Sequence, residues 1–480
     1  MPPLEWTERG WRIGASVTGV AIDSRRVQPG HIFIAIVGHD YDGHDFIPQA
    51  IERGALAIVG ERKDLALPVP YFRVESSRAE AAQIASRFYR EPSEDLTVIG
   101  VTGTNGKTSV VFWLTHMLRA AGLGTGLLSS VVNDLGGRQV GASLTTPESP
   151  DLQHHLAEIR DFGYRHAVVE VSSHAIVQHR IDAVRFKMAI LTNISREHLD
   201  FHNTMENYVA SKSRLFSGLD RDSWGAVLNA DDPYFDVVQR RVRAPVLTYG
   251  LSTGEVSADI LDGQAWHSEL RIRWDDVKFE TRLNHPGRYN VYNLLAVVTA
   301  ARALGVKPNL MADVIPDLPA VPGRMHVMKR GNSPTVIVDY AHTPDGLDQA
   351  LTTVRNLCPN QVWLIFGARG GRDRGKRPEM GKVAAAKADR IVVTADSPKL
   401  EQAQDIAEQL IAGIRAVDQT RLVGIELDRA TAIRETILKA HANDVVLITG
   451  RGPETTQVFG HRTVRLVDSE VVEEALRERE

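Results

Sequence analysis

Residues 101–109 read VTGTNGKTS. Gly106-Lys107-Thr108 supplies the glycine, lysine and hydroxyl of a phosphate loop, but the usual spacing G-x-x-x-x-G-K-[ST] would require glycine where Val101 stands. The preceding LTVIGV has the pattern of a buried strand and the following TSVVFWLTHMLRAAG that of a helix. In that setting backbone N–H groups of the glycine turn approach phosphates, and the helix N-terminus adds positive potential. Lys107 would offset β/γ-phosphate charge and Thr108 would hold magnesium. A glycine-rich turn without a ligand has the same local appearance.

Other polar groups cluster at the ends of apolar runs. Glu170 closes HAVVEV and suits a metal position, or is a solvated strand end. His198, Asp200 and His202 in NISREHLDFH could bind metal or serve only structure. Lys212 in NYVASKSRLF, read alone, is a solvated helix lysine. The basic stretch RGGRDRGKRPEMG (369–381) could clamp carboxylates or phosphates, or be a solvated charge run.

The elements that must position these groups follow a βα rhythm. LTVIGVTG, HAVVEVSS, KMAILTNI and WGAVLNAD read as buried parallel strands, with helical spacing over 151–163 and 204–216. PTVIVDYAH, QVWLIFGA, DRIVVTAD and DVVLITGRG repeat the rhythm. Such alternation predicts doubly wound α/β sheets with sites at strand C-terminal ends. Residues 256–284 alternate polar and apolar, predicting a small antiparallel excursion. EPSED (91–95) and PAVPGR (319–324) read as linkers.

A chain of 480 residues predicts roughly three domains, and 43% hydrophobic content lets each bury a core. A net charge of −4 argues against a general polyanion binder, so no nucleic-acid partner is expected. One cysteine, Cys358, excludes an intramolecular disulfide framework and a cysteine-rich metal site. MPPLEWTERG lacks a basic segment followed by an apolar run, and no apolar run is long enough to span a bilayer. The expectation is a soluble cytoplasmic protein without stable membrane insertion.

Together the segments resemble the Mur ligases, ATP-dependent amide-forming enzymes of peptidoglycan precursor synthesis. The shortened G-T-N-G-K-[ST] is that family's phosphate loop. GHDYDGHDFIPQAIERGA, TTPES, EVSSHAIVQHRID, NISREHLDFHNTMENYVASKSRLF, HPGRYNVYNLLAV, VPGRM, DYAHTPDGL and GGRDRGKRPEMG occur in order over nearly the whole chain. The pattern is most similar to the MurE type, which adds the third peptide residue to UDP-N-acetylmuramoyl-L-alanyl-D-glutamate through an acyl phosphate.

The resemblance implies three domains. Residues 1–94 would bind the UDP-sugar and 95–322 ATP, on a P-loop-type parallel sheet. Residues 323–480 would bring the amino acid on a dinucleotide-fold-like α/β unit. It implies that Ser24, Gly38, His39, Asp40, Thr145, Thr146, Ser172, Gln178 and Arg180 hold the UDP-sugar dipeptide. Gly103, Thr104, Asn105, Gly106, Lys107, Thr108, Ser109, Asn290, Asn293, Arg324 and Asp339 would contact ATP. Lys107, Glu170, His198 and Lys212 would be catalytic. Thr108, Glu170, His198 and carbamylated Lys212 would serve two magnesium sites, carbon dioxide being the source of the carbamate. A monomer is expected.

The implied amino-acid pocket comprises Arg372, Asp396, Ser397, Pro398, Lys399, Gly450 and Glu454. Two of its motifs depart from the diaminopimelate pattern. D-N-P-R becomes Asp396-Ser397-Pro398-Lys399, and G-K-G-H-E becomes Gly450-Arg451-Gly452-Pro453-Glu454. Lysine keeps the charge but loses the planar fork. A cation plus Glu454 still suits the distal carboxylate and amine of meso-diaminopimelate better than the lone distal amine of L-lysine or L-ornithine. A paralogue with another acceptor, a folylpolyglutamate synthase and a non-catalytic nucleotide-binding scaffold are the competing readings. The UDP-sugar motifs argue against the second and the retained lysines and acids against the third.

Overall fold

The computed structural model describes residues 3–8, 10–38, 41–63, 65–264, 267–358 and 360–479. Near its start, strands Gly19–Ala21, His31–Ile34, Ala57–Gly60 and Tyr71–Arg73 pair in chain order as a parallel sheet. Helix Ser77–Phe88 closes one face with Ala81 and Ile84, and the Leu4–Thr7/Gly10–Ile13 hairpin adds Leu4 and Trp11 to that core.

The middle of the chain builds an 11-stranded sheet. Thr97–Thr102 sits between His166–Glu170 and Phe186–Leu191, parallel to both. Thr125–Leu128 extends one side, and Gly225–Asn229 and Val246–Gly250 the other, all parallel. The strand order reverses on either side of Thr97–Thr102, the place where an open α/β sheet leaves a crevice for ligands. The antiparallel excursion is present as Val256–Gln264, His267–Trp274 and Val277–Leu283. It continues the same sheet, because Val256–Gln264 pairs with Val246–Gly250.

The predicted apolar runs are strands because both faces are covered. Helix Lys107–Ala120 packs Val110, Val111, Leu114 and Met117 against Leu294, Val297 and Val298 of helix Arg288–Ala303. Each such fully buried side chain contributes about 1.5–3 kcal/mol of transfer free energy. Trp113 Nε1 donates to Pro319 O at 3.1 Å, tying that helix to the segment before residue 323.

The last sheet runs His326–Met328, Thr335–Val338, Val445–Ile448, Val362–Phe366, Arg390–Val393, Leu422–Ile425. All its pairings are parallel except the first. The two predicted linkers differ in kind. PAVPGR contains no helix or strand, whereas EPSED forms a helical turn, Pro92–Asp95, with Pro92 and Ser93 buried. Ser93 Oγ accepts from Arg185 N at 3.1 Å, which fixes that turn to the central unit.

Candidate active site

The loop from Gly103 to Gly106 joins strand Thr97–Thr102 to helix Lys107–Ala120. Gly106 has φ +84°, and a Cβ there would strike Asn293 Oδ1, so the turn needs glycine for both backbone and space. The end of the neighbouring strand holds the loop from below. Thr104 N donates to Asn193 O at 2.7 Å, Asn105 N to Asn193 Oδ1 at 3.0 Å, and Thr192 Oγ1 to Asn105 O at 2.6 Å.

Two lysines meet on this loop. Lys107 Nζ donates to the carbonyls of Gly103 and Thr104 at 3.0 and 2.8 Å, and Lys212 Nζ donates to Gly103 O at 2.7 Å. Lys212 is not a solvated lysine. It is 1% exposed and lies 4.6 Å from the centre of the Tyr208 ring. Burial lowers the pKa of both amines, Lys212 well below the usual range, and for Lys212 repulsion from Lys107 acts in the same direction.

Beside Lys107, Thr108 Oγ1 lies 3.1 Å from Glu170 Oε2, and the same carboxylate oxygen accepts from Ser130 N at 3.0 Å. Ser130 Oγ is 3.2 Å from Thr108 Oγ1. Glu170 is therefore a buried acid at the loop, not a solvated strand end. Arg324 reaches over from the later segment, with Nη2 donating to Thr108 Oγ1 at 3.1 Å and its guanidinium 4.2 Å from the Tyr340 ring centre.

His198 and His202 of the histidine-rich segment both face the His174 ring. His198 takes φ +56° and stands edge-on to His174, its centroid 4.7 Å away. Burial pushes it to about 3, leaving a neutral ring. His202 pairs with Ser173 Oγ at 3.0 Å, and Asp200 faces Arg372 at 3.5 Å. Among the described residues no three His, Cys, Asp or Glu side chains are grouped to hold a metal ion. Thr108, Ser130 and Glu170 are nevertheless an all-oxygen donor set beside the loop, the kind magnesium takes alongside phosphate oxygens.

Two cavities flank the loop. The smaller, about 70 Å³, brings together Asn105, Gly106, Ser109, Asn290, Asn293, Arg324 and Asp339, with Tyr289 and Gln349 added by the fold. Asn293 Nδ2 donates to Asn290 Oδ1 at 3.1 Å. Asp339 accepts from Met325 N at 2.7 Å and Ala341 N at 2.8 Å, fixing the segment that carries Arg324.

The larger cavity, about 300 Å³, lies between the central and last sheets and is lined by Glu197, His198, His342, Arg369, Arg372, Lys376, Asp396 and Gly450, among others. Glu197 accepts from His342 Nε2 at 2.8 Å across the two sheets. Burial opposes ionisation of Glu197, but His198 and His342 outweigh it and hold the carboxyl well below its usual range. Glu454 accepts from Arg369 at 3.0 Å and from Tyr340 OH at 3.3 Å. Ser397 Oγ accepts from Val458 N at 3.3 Å, and Ser397 O accepts from Gly370 N at 3.0 Å. Pro398 packs its carbonyl on Gly370. Lys399 is not among the residues lining this cavity; its backbone donates to Val458 O at 3.0 Å and bridges to Phe459.

The groups assigned to the UDP-sugar dipeptide fall in two places. Thr146, Ser172, Gln178 and Arg180 are contiguous. Arg180 donates to Thr146 O at 2.9 Å and Gln178 Oε1 at 2.6 Å, and Thr146 Oγ1 donates to Glu170 O at 2.8 Å. Ser172 N donates to Thr146 Oγ1 at 3.0 Å, and Thr145 is half-buried beside it. Ser24 and Gly38 belong to the first sheet's C-terminal edge, where Ser24 Oγ donates to Gln49 Oε1 at 2.6 Å and Gly38 N to Tyr41 O at 2.9 Å. His39 and Asp40 lie outside the described residues.

Comparison with known proteins gives concordant matches. Residues 101–301 match the Mur ligase middle domain, 323–452 the Mur ligase glutamate ligase domain, and 16–89 the Mur ligase family catalytic domain. The UDP-N-acetylmuramoyl-L-alanyl-D-glutamate--2,6-diaminopimelate ligase of Geobacillus thermodenitrificans is 40% identical over 99% of this chain and 98% of its own length. The ligase of the same name from Caldanaerobacter subterraneus is 38% identical over 97% and 95%. A solved structure of a ligase with that name superposes with TM-score 0.66 at 30% identity, over 96% of this chain and 95% of that one. The ADP complex of MurF from Thermotoga maritima gives TM-score 0.66 at 21% identity over 96% and 97%, a likeness of fold.

Proposed function

The chain belongs to the Mur ligase family, and from that premise we propose that it joins 2,6-diaminopimelate to UDP-N-acetylmuramoyl-L-alanyl-D-glutamate, converting ATP to ADP and phosphate, in peptidoglycan precursor synthesis. The observation that carries this reading is the near full-length identity to diaminopimelate ligases, together with a phosphate loop lying between two cavities of different character.

An unactivated carboxylate does not form an amide at neutral pH, because oxide would have to leave. In the proposed reaction a D-glutamyl side-chain carboxylate oxygen attacks the ATP γ-phosphorus and ADP departs. The incoming amine adds to the acyl phosphate carbonyl, loses a proton, and the tetrahedral adduct expels phosphate. Lys107, half-buried at the start of its helix, would offset the negative charge that gathers as carboxylate and γ-phosphate approach. Arg180, Thr146 and Ser172 sit beside Glu170, where they would hold the dipeptide end. Asn290, Asn293, Arg324 and Asp339 would hold the nucleotide in the smaller cavity.

Thr108, Ser130 and Glu170 would hold magnesium, with His198 and a carbamate on Lys212 serving the second site. When bound, the metal offsets phosphate charge and aligns the transferring group. The depressed pKa of Lys212 supports the carbamate, because only a neutral amine attacks carbon dioxide. We place domain borders near 94/95 and 322/323, in a cytoplasmic monomer. The segment through Gly323 would act as the hinge that closes the last domain and keeps water from the labile acyl phosphate. Scattering curves with ATP analogue and UDP-sugar dipeptide should show compaction; unchanged curves would exclude closure.

The decisive assay is phosphate release with ATP, UDP-sugar dipeptide and a panel of meso-diaminopimelate, L-lysine and L-ornithine. Release that depends on diaminopimelate is expected. Release with none of the three, or preferentially with L-lysine, would overturn the proposal.

A further inference from the structure

The larger cavity contains a cation from the basic stretch 369–381 that the resemblance does not assign to the amino-acid pocket. Arg369 follows strand Val362–Phe366 and lines the cavity, with 32% of its side chain open. Its Nη2 donates to Glu454 Oε2 at 3.0 Å, and its Nε is buried without a partner among the described residues. The backbone beneath it is fixed. Arg377 Nη2 donates to Arg369 O at 3.2 Å, and Gly371 N and Arg377 both donate to Glu401, at 2.7 and 2.9 Å. Opposite, Asp396 is 3% exposed and its Oδ1 has no hydrogen-bond partner among the described residues. Lys399, the cation the motif spacing singles out, has φ +52°, its backbone pairs with Val458 and Gly460, and it is not among the residues lining the cavity.

We propose that Arg369 is the specificity-determining residue for the incoming amino acid, binding its distal carboxylate; this rests on the function proposed above. Glu454 occupies one edge of the guanidinium and orients it, while the open part of the fork faces the cavity. Asp396 lines the cavity and Glu454 is bound to the guanidinium beside it, negative charge that suits a distal ammonium. Diaminopimelate presents both charges at its far end. L-Lysine presents the ammonium alone and leaves the exposed guanidinium without an anion from the ligand.

The test is kcat and KM for meso-diaminopimelate and L-lysine with wild type, Arg369→Gln, Arg369→Lys and Lys399→Ala. Arg369→Gln should raise KM for diaminopimelate on the order of tenfold to a hundredfold, with a smaller fall in kcat. The diaminopimelate-to-lysine ratio of kcat/KM should fall by a similar factor, while KM for ATP and UDP-sugar dipeptide stays within error. Arg369→Lys keeps the charge facing Glu454 and loses the fork, so it should fall between, and it decides the matter if Arg369→Gln does not fold. An unchanged ratio in the Arg369 variants, or a larger loss of ratio in Lys399→Ala, overturns the assignment alone. A wild type that releases no phosphate with diaminopimelate overturns the function, and the assignment with it.

Discussion

Around Gly103 the half-buried Lys107 and the buried Lys212 share one backbone carbonyl, and among the described residues neither is paired to a carboxylate. Around Glu454 the charges are matched before any ligand arrives: Arg369 on one oxygen, Tyr340 on the other, and Glu401 bound to Arg377 beneath. The first region brings two amines together beside Glu170 and Glu197, with burial lowering the pKa of both, and in the proposed function it receives the phosphates of ATP. The second is balanced, and suits a ligand that carries both signs at one end. On the proposed function, changes in the first region should reduce turnover and changes in the second should redistribute it among amines.

The sharpest way to break this contrast is Lys107→Ala. Turnover should fall on the order of 10³-fold, the scale of losing a preorganised charge at a reacting oxygen. Binding of UDP-sugar dipeptide, followed by calorimetry without ATP, should persist because Ser24 and the other groups on the first sheet are remote from Lys107, and Arg180 holds Thr146 O without it. Loss of both would show that the loop and the sugar site are one unit. Next in size is Lys212→Ala, expected to lose about a hundredfold through a weakened metal site. Acetate or formate in the buffer should restore part of that activity by supplying the missing carboxylate. Full activity without rescue would remove the carbamate from the account and leave Lys212 as a prop for Gly103 O.

The same contrast explains what could be read from the residues. The parallel strands were legible because both faces are buried, so Thr97–Thr102 or Val445–Ile448 appears as an unbroken β-branched run. The phosphate loop was legible because its parts are consecutive. The resemblance pointed to Arg372, Asp396 and Gly450, which line the larger cavity, but the pairing was not legible, since its partners are remote in sequence: Arg369 and Glu454 are 85 residues apart. Ser130 reaches Glu170 across 40 residues from a turn with no motif. His198 and His202, close in sequence, do share His174 as a neighbour, but Asp200 pairs with Arg372 and His202 with Ser173, and among the described residues they form no metal-holding group.

The smallest expected effect tests whether the balanced region is balanced for function. Glu401 touches no cavity-lining carboxylate, yet it accepts from Gly371 N and from both Nη atoms of Arg377, whose Nη2 also holds Arg369 O. Arg377 above all, with Gly371 N, holds the Glu401 carboxyl at about 2, below its ordinary 4.5. A carboxyl lowered on folding stabilises the fold fully above the unfolded value and loses that contribution as pH falls from 4.5 through about 2. Glu401→Gln should therefore lower the melting temperature at pH 7 by about 1–3 °C, from ~1 kcal/mol of lost pairing. Its deficit against wild type should close as the pH is taken down through that window. At pH 7 the loosened loop should raise KM for diaminopimelate by roughly threefold, through misplacement of Arg369, while kcat and KM for ATP hold. Melting curves from pH 7 to 2.5, beside amine kinetics at pH 7, separate the two effects. A stability deficit with unaltered amine KM would mean that Glu401 supports the fold but does not aim the guanidinium, and the pocket's balance would then end at Arg369 and Glu454.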